Sequence, residues 1–286
     1  MKNLFALSLF GLFLFASAPL SAAQGTYTQI DAPGGVGDTA LRGINSVGDI
    51  CGYYDGHGFL LSGGSYITID YPGFPVTQLF GLNDNGQIVG VAFGNGVDVG
   101  FVYNTADQTF TEISYPGSPT TIPQSINNTG EIAGVFYSQN ERKTLGFEFD
   151  GSTYTKITAP KGFSAWAYGI SASDDVVGVF SGPGAFNFVF HQGKYKLLGI
   201  PEAPGAVVTG IDNAGTTLVG FYGPVSGGVA GFVESKQGFE EVQFPGANET
   251  LSYGVNNAGE VVGYFSDPGL VTYHGFTWTP PAGNKK

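Results

Sequence analysis

Apolar and polar residues alternate along most of the chain in short runs rich in Phe, Tyr, Val, Ile and Thr. Gly, Pro, Asn and Asp bound these runs. A period of two between turn residues predicts short, half-buried β-strands. The pattern also repeats at longer range. The element Gly43-Ile44-Asn45-Ser46-Val47-Gly48-Asp49-Ile50-Cys51-Gly52 returns from Gly81 to Gly90, and again from Ser125, Gly169, Gly210 and Gly254. Successive starts lie 38, 44, 44, 41 and 44 residues apart, a mean of about 42, which is the period of four-stranded propeller blades. Each unit reads as four strands. The first leads into Gly-Ile-Asn, as in Thr39-Ala40-Leu41-Arg42. Asn45 and Gly48 then suit the first and fourth places of a type I turn, and Ile50-Cys51-Gly52-Tyr53 forms strand two. Strand three opens on a Gly-Phe pair in five units and on Asn187-Phe188 in the fourth. Strand four, as in Tyr66-Ile67-Thr68-Ile69-Asp70, runs into Pro72-Gly73, Pro116-Gly117 or Pro245-Gly246.

The two ends of the repeat complement each other. The sixth unit stops after strand three, at Trp278-Thr279-Pro280-Pro281, whereas Thr26 to Gly34 reads as a strand four with nothing before it. Together they make one blade. An open solenoid caps its ends; a strand lent from one terminus to the other closes a ring and hides sheet edges. The predicted fold is all-β: a six-bladed β-propeller over residues 24–281, closed by the N-terminal strand, with a short tail at 282–286.

Residues 1–23 break the pattern. Lys2 and Asn3 precede an apolar run from Leu4 to Phe15, and Ser21-Ala22-Ala23 follows. This is the three-part pattern of a secretory signal peptide, with cleavage expected after Ala23. The run is too short to span a bilayer comfortably. No later run matches it in length, so no membrane span is expected after cleavage. The protein is expected to be secreted, either extracellular or periplasmic. With a single cysteine it has no internal disulfide, and a monomer is expected.

Composition narrows the partners. With 47 glycines, 16 prolines and 14% aromatic residues, long helices are poorly served. Apolar residues make up 42% of the chain, enough for a core and too many for disorder. The net charge of −12 speaks against nucleic acid and other polyanions.

Gly-Ile-Asn-x-x-Gly-x-Ile-Val-Gly-Tyr followed by His-Gly-Phe resembles the bacterial extracellular HAF-repeat family. His57-Gly58-Phe59 and His274-Gly275-Phe276 carry its namesake triplet with Gly in place of Ala. The resemblance covers about residues 26–280. It implies a secreted or surface protein of bacterial type and no established activity. The Trp-Asp ending of WD repeats, the in-register Gly-Gly of kelch blades and the aspartate box of sialidases do not appear.

Motifs that carry chemistry are scarce. Cys51 occupies the place of Val89, Ala133, Val177, Val219 and Val262, so it reads as a small core residue. His57 and His274 stand where other units have Val99, Leu145 and Ala230, so both are expected as core histidines; His191 is expected on an exposed turn. Three scattered histidines and one cysteine offer no zinc spacing, and no metal or other cofactor is expected. Gly35-Val36-Gly37-Asp38-Thr39-Ala40 imitates a dinucleotide fingerprint but leads into a strand, not a helix. There is no Gly-x-Ser-x-Gly and no His-Glu-x-x-His. Asp174-Asp175 aligns with Gly86-Gln87 and reads as a solvated turn.

Two rings recur once per unit. Asn45, Asn83, Asn127, Ser171, Asp212 and Asn256 end strand one. They could gather oxygens around the axis for a cation or a sugar, but bonding within their own turns accounts for the repetition. The position before Gly-Ile-Asn instead varies: Arg42, Phe80, Gln124, Tyr168, Thr209 and Tyr253. Such a mixture at a presumed channel suits a polar ligand with an apolar face, although blade packing alone would also place it there. The most polar strand two to three loop is Tyr137 to Lys143.

The resulting expectation is a secreted binding propeller with no recognisable catalytic residues. Its partner would be carbohydrate or another cell-surface component, held by the six varying residues. The alternatives are a polysaccharide lyase or hydrolase, argued from the fold alone, and a purely structural surface protein.

Overall fold

The computed structural model describes residues 25–32, 38–94, 96–269 and 272–282. The leader assigned to residues 1–23 lies outside them, as does most of the glycine-rich segment at 33–37. The described residues form six four-stranded antiparallel sheets and no helix. A first strand, β1 (Thr26–Ile30), precedes the first complete blade, which is β2 (Thr39–Ile44), β3 (Ile50–Tyr54), β4 (His57–Ser62) and β5 (Ser65–Ile69). The second blade is β6 (Val76–Leu82), β7 (Gln87–Gly94), β8 (Val97–Asn104) and β9 (Thr109–Ile113). The third is β10 (Thr121–Ile126), β11 (Ile132–Ser138), β12 (Lys143–Phe149) and β13 (Tyr154–Ile157). The fourth is β14 (Ser164–Ile170), β15 (Val176–Ser181), β16 (Ala185–His191) and β17 (Lys194–Leu198). The fifth is β18 (Val207–Ile211), β19 (Leu218–Tyr222), β20 (Ala230–Ser235) and β21 (Gly238–Val242). The last contributes β22 (Glu249–Val255), β23 (Val261–Ser266) and β24 (Tyr273–Thr279).

That last blade is completed by β1, which pairs antiparallel with β24 from Thr26↔Thr279 to Ile30↔Gly275. The ring therefore closes as the complementary ends of the repeat predict. Tyr27 packs edge-on to Phe244 at 5.7 Å, and its hydroxyl accepts a hydrogen bond from the Gln243 backbone N–H. The N-terminal strand is thus tied to the fifth blade's exit as well as to the sixth blade.

Within each blade, the glycine of strand two lies opposite the phenylalanine of strand three, as in Gly90↔Phe101 and Gly263↔Phe276. All six of these phenylalanines are fully buried. A Cβ on Gly90 or Gly263 would fall 2.9 Å from the facing ring, so the missing side chain makes room for the aromatic. Between blades, the Pro-Gly segments form type II turns. Gly73, Gly117 and Gly246 all have positive φ, and Phe74, Ser118 and Ala247 donate back to the carbonyls of Tyr71, Tyr115 and Phe244. The aromatic that opens each turn wedges into the interface: Tyr115 stacks on Phe136 at 3.6 Å and Phe244 on Phe265 at 3.7 Å. Its backbone N–H is held by a buried threonine of the next inner strand, Thr77, Thr121 or Thr250.

The fourth blade departs from the repeat for a related reason. Just before the inner strand that follows it stands Ala206, where four blades carry that threonine and the fourth itself has Ala165. Asn187, which replaces the usual glycine, reaches across to donate to the Ala206 carbonyl and accept from the Val208 N–H, both at 2.9 Å. One side-chain amide thus ties a blade junction that lacks the threonine.

Closure and the approach of the inner strands generate two predictions. Removing residues 24–34 uncovers the edge of β24 and Trp278; the thermal midpoint in calorimetry should fall by about 10 °C or more, with aggregation. A Cβ on Gly210 would stand 2.3 Å from the Tyr253 carbonyl oxygen. Gly210→Ala should therefore cost about 1–3 kcal/mol in chemical denaturation, as overpacking does.

Candidate functional site

The six inner strands surround a cavity of about 80 Å³ on the axis. Its lining includes all six varying residues: Arg42, Phe80, Gln124, Tyr168, Thr209 and Tyr253. Their orientation has a common local cause. In every blade the pairing of strands one and two slips by one residue, between Leu41 and Gly43, Leu79 and Gly81, Pro123 and Ser125, Ala167 and Gly169, Val208 and Gly210, and Ser252 and Gly254. The skipped residue is the varying one each time. Each is the extra residue of a β-bulge, a device that re-aims a side chain. The glycine after the bulge permits the tight approach to the next blade: a Cβ on Gly43 would meet the Gly81 backbone at 3.0 Å, and one on Gly254 would meet Gly43 at 3.1 Å. The sequence marks the site by Gly-Ile-Asn but gives no direct sign of the bulge.

Arg42 dominates the electrostatics. Its guanidinium carbon lies 3.7 Å from the Tyr253 ring centroid and 5.1 Å from that of Phe80. Arg42 makes no ion pair and no side-chain hydrogen bond among the described residues, and its buried Nε has no partner. Around it stand four tyrosines. Tyr253 stacks on Tyr264 at 5.4 Å, with the two hydroxyls 3.3 Å apart, and Tyr53 meets Phe80 edge-on. Burial pushes Tyr168 up to about 12, and raises Tyr53 and Tyr264 as well; the Arg42 charge opposes each shift. All three hydroxyls therefore stay protonated at neutral pH.

The mouth of the cavity lies at the turns between strands one and two. Ser46, Asp84, Asn128, Asn213 and Asn257 line it, and they brace one another. The Ser46 N–H donates to Asp84, the Asp84 N–H to Asn128, the Asn128 N–H to Asn213 and the Ala214 N–H to Asn257, at 2.8–3.2 Å. The Asp84 carboxyl is buried in part, which raises its affinity for a proton, yet the Ser46 and Asn128 donors outweigh this and hold it below the usual range. The ring of Asn45, Asn83, Asn127, Ser171, Asp212 and Asn256 behaves as the turn reading expects. Asn45 Oδ1 accepts from the N–H groups of Val47 and Asp49, and Asn83 and Asn127 repeat the pattern. The carboxamides also do something the sequence does not reveal. Asn83 donates to the Asn127 carbonyl, Asn127 to that of Ser171 and Asn256 to that of Asn45, tying three of the six blade junctions.

Elsewhere, Cys51 is fully buried and its thiol is pushed up to about 12 by burial, in keeping with a core residue. The histidines differ from expectation. His57 has a side chain 49% exposed and bonds Asp70 at 2.8 Å; it lies in no core. His274 is also outside the core, between Asp31 at 3.0 Å and Asp267 at 3.3 Å. His57 is the first residue of its third strand and His274 the second, and both rings turn to carboxylates at the rim. His191 is exposed, as expected, and lies 3.2 Å from Asp175. Asp174 is half-buried, and its hydrogen bond to Glu131 of the preceding blade, with burial and the Glu131 charge behind it, lifts it to about 6. These groups, and the Tyr137 to Lys143 segment, lie outside the cavity lining. In that segment, Glu141 is engaged by Lys143 at 3.2 Å and Lys156 at 3.0 Å. Among the described residues no set of three or more His, Cys, Asp or Glu converges as metal ligands would.

Tyr168 gives the site a measurable pH signature. Its folded pKa of about 12 exceeds the ordinary value of 10.0, so the stability linked to its neutral form is complete below pH 10 and is lost as pH rises through 12. Two units correspond to about 2–3 kcal/mol. Denaturation midpoints of wild type should fall more steeply than those of Tyr168→Phe between pH 10 and 12.

The chain matches no family profile, and no curated protein is detectably similar to it in sequence. Solved structures are similar in fold. A gluconolactonase from Xanthomonas campestris aligns with a TM-score of 0.52 at 13% identity, over 86% of this chain and 87% of that one. The β-propeller domain of the Trilobed protease from Pyrococcus furiosus aligns at 0.53 and 13%, over 86% and 82%. That propeller has an open velcro topology, whereas β1 closes the ring here. The PQQ-bound aldose sugar dehydrogenase from Streptomyces coelicolor aligns at 0.51 and 10%, over 90% and 98%. At such identities the likeness is one of architecture: this chain is a six-bladed β-propeller.

Proposed function

We propose that this chain is an exported ligand-binding propeller of the HAF-repeat type, and that its axial cavity recognises carbohydrate or another polar cell-surface component. One observation carries the reading. Six bulges deliver six chemically different side chains, on equivalent backbone positions, into one cavity. Residues that served only to pack the ring would have no reason to differ so widely where the backbone is the same. Tyr168 offers an aromatic ring for the apolar side of a sugar, Tyr253 and Phe80 seat Arg42, and Gln124, Thr209 and Arg42 offer hydrogen-bonding groups. Several solved propellers similar in fold are named for sugar chemistry, namely the gluconolactonase and the aldose sugar dehydrogenase, which makes carbohydrate the first class to test.

The lining favours binding over glycoside hydrolysis. Hydrolysis by the usual route takes two carboxyl groups flanking the bond. Asp84 is the one carboxylate in the cavity lining, and two N–H donors already hold it in the charged state. The tyrosine hydroxyls, pushed upward by burial, are poor bases at neutral pH. The deciding experiment is a glycan array of plant and bacterial saccharides, run with wild type and with Tyr168→Ala/Tyr253→Ala, beside a turnover screen on the same saccharides. Wild type should bind at least one class, the double variant should lose about tenfold or more in affinity, and no saccharide should be consumed. Equal binding by both proteins would move the site elsewhere, and turnover would replace a binding role with catalysis.

A further inference from the structure

We infer that the ligand of the axial cavity carries a carboxylate: the site takes an acidic sugar, such as a uronic acid, with its anionic group on Arg42. This rests on the proposed carbohydrate reading and specifies the class within it. The argument begins with charge. The chain has 23 acidic side chains against 11 basic ones. Even so, the cavity is built around an arginine, and no carboxylate is paired with it. A guanidinium taken out of water is costly unless a counter-charge or other compensation is near. Here the compensation comes from aromatic faces, Tyr253 at 3.7 Å and Phe80 at 5.1 Å. These hold the planar group in place without using its hydrogen-bond donors. The Nε is buried without an acceptor, and no ion pair among the described residues takes the terminal nitrogens, so the two Nη groups are the donors left to bind a carboxylate two oxygens at a time. Arginine is charged at every working pH, so the cavity holds a fixed positive charge at this point of its lining.

The surroundings select what accompanies the anion. Gln124 and Thr209 line the same space as Arg42 and can bond hydroxyls, although the Thr209 hydroxyl itself already donates to the Ser252 carbonyl at 2.7 Å. Above them, the amides of Asn128, Asn213 and Asn257 border the mouth, where the rest of a saccharide would emerge. A bare inorganic anion would leave these groups unused. Asp84 at the mouth adds a negative charge on the way in, so the acidic end must be compensated at Arg42 for the ligand to be held.

Titration calorimetry separates this from the broader reading. The probes are D-glucuronate and D-glucose, inorganic phosphate, and an oligosaccharide ending in glucuronate beside its neutral counterpart. Wild type should bind an acidic saccharide at least tenfold more tightly than the neutral one and more tightly than phosphate. Preference for the free sugar or for the oligosaccharide tells whether a monosaccharide or a polymer end is the source. Arg42→Gln should abolish the preference, and Arg42→Lys, which keeps the charge but loses the fork, should retain part of it. The comparison in wild type stands even where a variant fails to fold. Neutral saccharides bound as tightly as acidic ones, or an Arg42→Gln protein that folds and keeps the preference, would overturn the carboxylate and leave carbohydrate recognition intact. Phosphate bound best would overturn the sugar acid in favour of a simple oxyanion site, and no binding of any saccharide would remove both readings.

Discussion

The molecule depends on how closely its six inner strands approach one another. Around the axis, backbone meets backbone: a side chain at Gly43 would strike Gly81, one at Gly81 would strike Ser125, and one at Gly254 would strike Gly43. Backbones can come this near only where no Cβ intervenes. The narrowing has a second consequence. A strand that runs straight through so tight a ring has no room to turn a large side chain toward the axis. The bulge one residue earlier solves this by adding a residue outside the ladder and aiming it inward. Closeness of the blades and the content of the cavity are therefore set by the same dipeptide, a variable residue followed by a small one.

The forces that hold the ring differ with radius. Near the axis they are polar, with asparagine carboxamides passing hydrogen bonds from one blade to the next and bracing their own turns. Further out they are apolar, with the six phenylalanines over glycines and the aromatic wedges of the Pro-Gly turns. At the seam both kinds fall to β1, which pairs along five residues with β24 and anchors Tyr27 against the preceding blade. A rigid frame of this sort keeps cavity side chains in position before a ligand arrives, which lowers the cost of ordering them on binding.

Arg42 follows from that frame. An isolated guanidinium on a mobile segment would turn to solvent or to one of the many carboxylates of this acidic protein. Fixed on a bulge and flanked by Tyr253 and Phe80, it keeps its donors within the cavity. The same charge opposes the rise in pKa that burial imposes on Tyr53, Tyr168 and Tyr264, so the tyrosines and the arginine form one electrostatic unit.

Much of this was legible from the chain alone. Alternation, a period of about 42 residues and the matching fragments at the two ends give six blades and their closure, because strand pattern and turn chemistry are local properties repeated six times. Comparison of the copies also picks out the six cavity positions, since Arg42, Phe80, Gln124, Tyr168, Thr209 and Tyr253 vary in chemistry just before the recurring Gly-Ile-Asn element. Cys51 reads correctly for the same reason. His57 and His274 do not: alignment with Val99 and Leu145 implies burial, but cover near the start of a strand comes from neighbouring elements and not from the repeat. Asp174 likewise owes its character to Glu131, 43 residues earlier in the chain and adjacent only across blades. The sequence determined the architecture and which positions face the axis. Only the tertiary structure decided the bulges that aim those residues, the amide links between blades and the aromatic seat of Arg42, because each depends on groups that come together when separate blades close into a ring.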